Sequence, residues 1–259
     1  MNKNTVRQFV TVVAVAATIV ANGLANALPL NGQTTGEISD RFQVYFVPAG
    51  YVFSIWGLIY LGLILFAVYQ ALPGQRDNKR LMRVGYLPAL SCLANVAWLF
   101  LWHYEQFLLT LVAMLSLLGL LIAIYVRLGI GRGPVPASER WLVRVPFSVY
   151  LGWVTVATIA NVTSVLDYLN WGGWGISAEA WTVMILAVGA GIASAVSLTR
   201  GDIAYMLVII WAFVGIAVKH AGTPVVAVAA WVATGLVAVM LVVGAVVNRR
   251  RGRHGAPAG

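Results

Sequence analysis

Charge, cysteine and acidic residues within apolar stretches are what this sequence has least of. Only 10% of its 259 residues are charged and 61% are hydrophobic, whereas soluble domains carry about 25% charged residues. That shortage excludes an ordinary soluble domain and predicts an all-α, polytopic membrane helix bundle. The single cysteine, Cys92, excludes a disulfide framework within the chain and reads as a small buried hydrophobe. No Asp or Glu falls clearly in the middle of an apolar run. Ion-coupled transporters and proton pumps keep carboxylates there, so active coupled transport is disfavoured. A Gly-rich phosphate loop, a zinc motif and a nucleophile–base arrangement are also missing, which favours a binding protein or passive carrier over an enzyme.

Apolar runs separated by polar punctuation predict about eight transmembrane helices, at 9–28, 50–72, 84–103, 106–127, 145–166, 180–199, 203–218 and 224–247. The seventh is the shortest. The first resembles a signal peptide, with Lys3 and Arg7 ahead of an apolar run and Leu24-Ala25-Asn26-Ala27 after it. Its length of about 20 residues suits a retained span instead. With the N-terminus placed in the cytoplasm, Lys3, Arg7, Arg76, Lys79, Arg80, Arg83, Arg127, Arg132, Arg140, Arg144, Arg200 and the tail Arg249, Arg250, Arg251 and Arg253 all fall inside, and only Arg41 and Lys219 fall outside. This positive-inside bias supports an even number of spans, both termini cytoplasmic and a multi-pass protein of the plasma membrane of a bacterial or archaeal cell. The formal net charge of +9 is then an attraction for lipid headgroups and not for nucleic acid.

Three spans carry stripes that plain lipid-facing helices do not need. On the fifth, Tyr150, Trp153, Ala157 and Asn161 recur at helical spacing on one face. On the second, Phe53, Trp56 and Tyr60 share a face, and on the third Ser91, Asn95, Trp98 and Trp102 do. Two readings are open. The stripes glue helices together through packing and interhelical hydrogen bonds. Alternatively they converge into an aromatic-walled pocket with two carboxamides, suited to a flat, largely apolar ligand with a few polar edges. Outside the spans, residues 29–47 are long for a hairpin and read as a lid or a connector. Residues 167–178, rich in Trp and Gly, read as interfacial anchors on glycine turns. His103 and Glu105 read as a solvated turn, and Lys219 as a snorkelling cation at the water boundary. Asn161-Val162-Thr163 matches a glycosylation sequon, but at membrane depth it is not an acceptor.

The spacing Tyr150-Leu-x-Trp153-Val-x-x-Ala157-x-x-x-Asn161, preceded by Pro146, resembles the fifth-helix signature of the translocator protein family, the tryptophan-rich sensory proteins (TspO). Asn95-x-x-Trp98 resembles that family's third-helix element, and Pro48 followed by Trp56 and Tyr60 resembles its entry into the second helix. The family pattern has a second proline where this chain has Ala49, and Trp where it has Tyr51. The resemblance covers residues 1–166, implying a five-helix TspO-like unit there and a three-helix extension with a basic tail over 167–259. It implies a porphyrin or similar flat hydrophobic ligand, with no cofactor required, bound beneath a lid formed by residues 29–47. The site would be Trp56, Tyr60, Asn95, Trp98, Tyr150, Trp153, Ala157 and Asn161. It also implies the bilayer and a second copy of the chain as partners. Three functions stay open: a receptor or carrier for that ligand, a transporter whose path the last three helices complete, and a light-dependent porphyrin-degrading enzyme.

Overall fold

A computed structural model describes residues 2–28 and 30–254. The side chains of Asn26 and of residues 249–254, which include the basic tail, lie outside the described residues, as do Met1, Pro29 and 255–259. The described residues are helices and loops. Eight helices correspond to the eight expected spans: α1 (Lys3–Ala27), α2 (Ile55–Ala71), α3 (Leu87–His103), α4 (Phe107–Arg127), α5 (Val145–Tyr168), α6 (Ala178–Arg200), α7 (Ile203–Lys219) and α8 (Pro224–His254). Six of these regions are long and apolar enough to cross a membrane, counting the turn Gly50–Ser54 with α2 and residues 137–144 with α5. The other two, α3 and α7, have 17 residues each, the lower limit for a span.

Polar punctuation marks the boundaries. The Ser177 hydroxyl accepts the Ala180 N–H at the start of α6, and Gly201 ends that helix at a left-handed φ of 59°. One residue later the Asp202 carboxylate caps α7 by accepting from the Tyr205 N–H. Pro88 and Pro224 sit at the first turns of α3 and α8, where a missing N–H costs nothing.

The first five helices close a ring. α1 packs on α2 and α3, α3 on α4, α4 on α5, and α5 back on α2. α7 lies against the outside of the ring at α5, and α8 packs on both α7 and α6. The extension therefore docks through α7 and does not insert into the ring. Carboxamides tie the ring together. Gln8 donates to the Gln70 carbonyl at 2.6 Å while Gln70 donates back to the Gln8 carbonyl at 3.1 Å, a reciprocal clasp between α1 and α2. Asn22 on α1 donates to Asn95 on α3 at 2.9 Å, and Asn95 donates to the Tyr150 hydroxyl on α5 at 3.0 Å. Interhelical hydrogen bonds of this kind contribute roughly 0.6 kcal/mol each in a membrane, so they specify register more than they hold the bundle. The exposed faces carry Leu58, Leu61, Leu108, Val112, Leu115, Val228, Val232 and Val239, an apolar exterior fitted to lipid.

The two ends of the bundle differ in charge. At one end Arg7 donates to the Arg76 carbonyl, Arg127 to the Arg83 carbonyl, Arg144 to the Gly133 carbonyl and Arg200 to the Ile130 carbonyl, and Arg80 pairs with Glu139 at 2.8 Å. This basic end gathers the cationic linkers that the sequence places on one side. The other end is closed by residues 30–47.

Candidate functional site

At 3.6 residues per turn, Tyr150, Trp153, Ala157 and Asn161 project from one side of α5, and the ring closes over that side. Tyr150, Trp153 and Asn161 are all at most 3% exposed. Trp56 meets Trp153 and Tyr150 edge-on, with ring centroids 6.2 and 6.1 Å apart, and stacks on Tyr60 one turn later at 5.5 Å. Phe53, brought forward by the tight turn Gly50–Ser54, meets Trp153 edge-on at 5.6 Å. On α3, Trp98 stacks on Trp102 at 5.5 Å, and Trp102 continues through Phe107 and Phe42. Edge-to-face and offset pairs of this kind are the favoured geometries of aromatic rings.

The three stripes converge, and between them lies a cavity of about 50 Å³. Trp56, Trp98, Trp153, Ala157 and Asn161 line it, together with Phe53, Trp102 and Ser164. The cavity is smaller than the ~300–1,000 Å³ of small-molecule pockets. A porphyrin enters only if the rings part. Three candidate residues stand apart from the cavity. Asn95 and Tyr150 bond to each other and, through Asn22, join α1, α3 and α5. Tyr60 supports Trp56 from below. For Asn95 and Tyr150 the helix-gluing reading of the stripes is the one the hydrogen bonds support.

Three polar atoms of the cavity's lining residues are left unmatched. Asn161 donates to the Thr110 hydroxyl at 2.9 Å, but its Oδ1 has no partner. The Nε1–H groups of Trp98 and Trp153 have none either, although all three atoms are buried. Buried polar groups are nearly always satisfied, because an unmatched one costs about 1–3 kcal/mol. Two donors and one acceptor are thus left unmatched on residues that line one cavity.

Residues 30–47 cover this cavity as a lid. A short helix, Thr35–Asp40, is started by a capping box in which the Thr34 side chain accepts from the Glu37 N–H and Glu37 accepts from the Thr34 N–H. Thr35, Ser39, Val47 and Pro48 line the cavity roof, and Trp102 Nε1 donates to the Thr35 carbonyl at 3.2 Å. Ionic ties hold the rim: Arg41 to Glu105 at 2.6 Å and Asp40 to Lys219 at 3.0 Å. Tyr45 donates to Glu179 at 3.1 Å and lies edge-on to His220 at 5.2 Å. Glu179, Lys219 and His220 belong to the extension, which thus fastens the lid of the five-helix ring.

These ties give the lid a pH dependence. The bond from Arg41 holds the Glu105 carboxyl below its usual 4.5, and the Thr34 backbone and hydroxyl hold Glu37 below it. Burial, then the neighbouring Lys219, holds His220 below its usual 6.5. For Glu105 and His220 the opened lid binds protons more readily than the closed lid, so closure strengthens as pH rises, whereas the Glu37 bonds lie within the lid and steady only its short helix. The His220 contribution is complete above 6.5 and begins to fade below that value, and the Glu105 contribution fades as pH falls through and below 4.5. Hydrogen exchange of residues 30–47 should therefore speed up relative to the ring helices as the solution is acidified. An unchanged ratio from neutral to acid would refute the ties.

The structure corrects one reading and refines another. His103 is not solvated: it is 1% exposed, its Nδ1 lies 2.8 Å from the Leu99 carbonyl, and Asn31 of the lid bonds to its backbone. The chain folds back over it, which its position in a short polar turn did not reveal. Lys219 is a tie to Asp40 as well as a boundary cation. In the segment 167–178, Trp171 and Trp174 cluster with Trp181 of α6, and Trp174 is 80% exposed, which fits an interfacial anchor. One group went unread in the sequence. Asp202, 8% exposed, accepts from the Tyr125 hydroxyl at 2.8 Å and the Ser148 hydroxyl at 2.6 Å. Its place at a helix cap between two apolar runs made it look like ordinary punctuation.

An eight-helix membrane bundle whose first five helices enclose a lidded, tryptophan-walled cavity is thus the class that fold and site define. The family model of the TSPO-like proteins matches residues 8–243, and the chain belongs to that family. The match runs beyond the motifs of the first 166 residues, through α6 and α7 and into α8. No curated protein and no solved structure matches the chain.

Proposed function

We propose that this TSPO-like membrane protein binds a flat, largely apolar ligand with a few polar edges, such as a porphyrin, inside the ring of α1–α5. The observation that carries this reading is the set of unmatched buried atoms on one cavity: the indole N–H groups of Trp98 and Trp153 and Oδ1 of Asn161. Trp56, Trp98 and Trp153 supply ring faces and edges, and Asn161 supplies a polar handle. Tyr60, Asn95 and Tyr150 hold those walls in register. Because the closed cavity is small, binding requires the lid to lift and the indoles to move apart. Apparent affinity then falls with the fraction of molecules in the open state. Movement of such a ligand across the bilayer would be passive, since the cavity has no carboxylate among its lining residues.

Titrating the purified protein with protoporphyrin and following tryptophan fluorescence tests the reading. Saturable quenching is expected. The double substitution Trp56→Phe/Trp153→Phe replaces two indoles with smaller rings and removes the unmatched Trp153 N–H; at about 0.5–1.5 kcal/mol for each altered ring contact, affinity should fall about tenfold. Unchanged affinity would sink the site. Flux into proteoliposomes above an empty-vesicle control separates a carrier from a pure binder.

The charge bias of the basic end supports its placement in the cytoplasm, with both termini there and the lid outside. A cysteine introduced at Ala137 should resist an impermeant thiol reagent in intact cells and react after lysis. Labelling in intact cells would reverse the orientation.

A further inference from the structure

A second, larger space lies outside the ring. A groove of about 1,040 Å³ runs between α2, α5 and α7 and opens at the basic end beside the loop 130–135. Its upper wall is apolar: Ile55 and Leu58 of α2 and Ile203, Leu207 and Trp211 of α7. Leu58, Ile203 and Leu207 are about half exposed. From Ile203 to Trp211 the helix rises roughly 12 Å at 1.5 Å per residue, a length that suits a hydrocarbon chain. Arg140, Trp141 and Arg144 stand at the mouth.

The charges at that mouth are not balanced. Of the two acidic groups nearby, Asp202 is fully engaged and Glu139 is engaged through one oxygen, its Oε1 having no partner. Asp202 accepts from Tyr125, Ser148 and the Tyr205 N–H, and Glu139 pairs with Arg80. Arg140 makes no ion pair among the described residues. Arg144 is 9% exposed; its two terminal nitrogens donate to the Gly133 and Leu128 carbonyls, at 3.1 and 3.3 Å, and its Nε–H has no partner. A buried, unmatched guanidinium N–H and Arg140, which makes no ion pair and lies 6.0 Å over the exposed Trp141 indole, stand at the end of an apolar channel. They complement a molecule with an anionic head and a hydrocarbon tail. Basic pockets between transmembrane helices bind anionic headgroups for this reason. The loop between them is held in shape: Gly131, at φ 76°, sits so close to the Arg200 backbone that no side chain would fit.

We propose that this groove is a binding site for one anionic phospholipid of the surrounding bilayer, its phosphate at Arg144 and Arg140 and an acyl chain along Leu58, Leu207 and Trp211. The site is distinct from the ring cavity, and it exists because α7 docks beside α5 and α2. A lipid there would lie between the ring and the extension.

The test uses the full chain purified in detergent and exposed to equal amounts of phosphatidylglycerol and phosphatidylcholine, with bound lipid counted by native mass spectrometry. One retained phosphatidylglycerol per chain is expected, preferred over phosphatidylcholine about tenfold. Arg140→Gln, at an exposed position, should bring that preference close to unity. Leu207→Trp, which fills the channel without changing charge, should lower the occupancy of both lipids and leave protoporphyrin quenching intact. Equal retention of the two lipids by the unaltered protein would overturn the proposal and identify the groove as ordinary lipid-facing surface. So would an undiminished preference in Arg140→Gln together with an undiminished occupancy in Leu207→Trp.

Discussion

Ala157→Leu is expected to lower porphyrin affinity by up to about sixtyfold while the protein stays folded. Ala157 lies on α5 one turn after Trp153 and one turn before Asn161, and its methyl group faces the cavity roofed by the lid. Leucine adds three carbons, which fill the cavity of about 50 Å³ and press on its walls, so the closed form gains apolar burial that overpacking partly offsets. At roughly 0.8 kcal/mol per buried carbon the gain is at most about 2.4 kcal/mol, and a ligand must overcome that to open the site. The corresponding affinity change is at most about sixtyfold. Tryptophan fluorescence titration measures it, and thermal unfolding in detergent should show a midpoint equal to or above that of the unaltered chain. Ala157→Val, with two added carbons, should fall between the two. Full affinity in both variants would mean that the ligand, if any, binds elsewhere.

Gly215→Leu should have the largest effect on stability. Gly215 of α7 faces the entry to α2 so closely that an added Cβ would collide with a Val52 methyl and stand 3.0 Å from Pro48 Cβ. The contact is also polar. The Ala49 N–H donates to the Gly215 carbonyl at 3.1 Å, and Trp211 Nε1 donates to the Val52 carbonyl at 3.2 Å. A leucine drives α7 away from Val52 and strains both bonds. Overpacking typically costs about 1–3 kcal/mol, and the loss of two hydrogen bonds places this case near or above 3 kcal/mol. In a chain of this size that lowers the melting midpoint by roughly 6–12 °C. Pro48 lines the ring cavity, so porphyrin binding should weaken in the same variant. An unchanged melting midpoint would show that α7 is not seated on the helix entry.

Much of this architecture was legible in the residues. Eight apolar runs became eight helices, because a segment in lipid must satisfy its own backbone hydrogen bonds and helix is the available way. Helical spacing brought Trp153, Ala157 and Asn161 to one face, and Trp56 and Trp98 to theirs. Which members of a stripe meet the cavity was not legible. Asn95 and Asn161 look alike in sequence. Asn95 is spent on Asn22 and Tyr150, whereas Asn161, which lines the cavity, keeps an unpartnered oxygen. Periodicity assigns a face to a residue, and the partner across the interface decides what the residue does there.

The extension shows the same division. Its three helices, their polarity and their basic tail follow from local composition, since hydropathy and charge act residue by residue. Its position on α5, the seat of Gly215 against Val52, the fastening of the lid through Lys219 and Tyr45, and the groove at Arg144 depend on contacts between segments far apart in the chain. The order of amino acids determined that this chain is a helical membrane bundle with a tryptophan-lined face in its first half. The tertiary structure decided that this face closes on a small lidded cavity, because only packing sets which buried polar groups find partners and which are left unmatched.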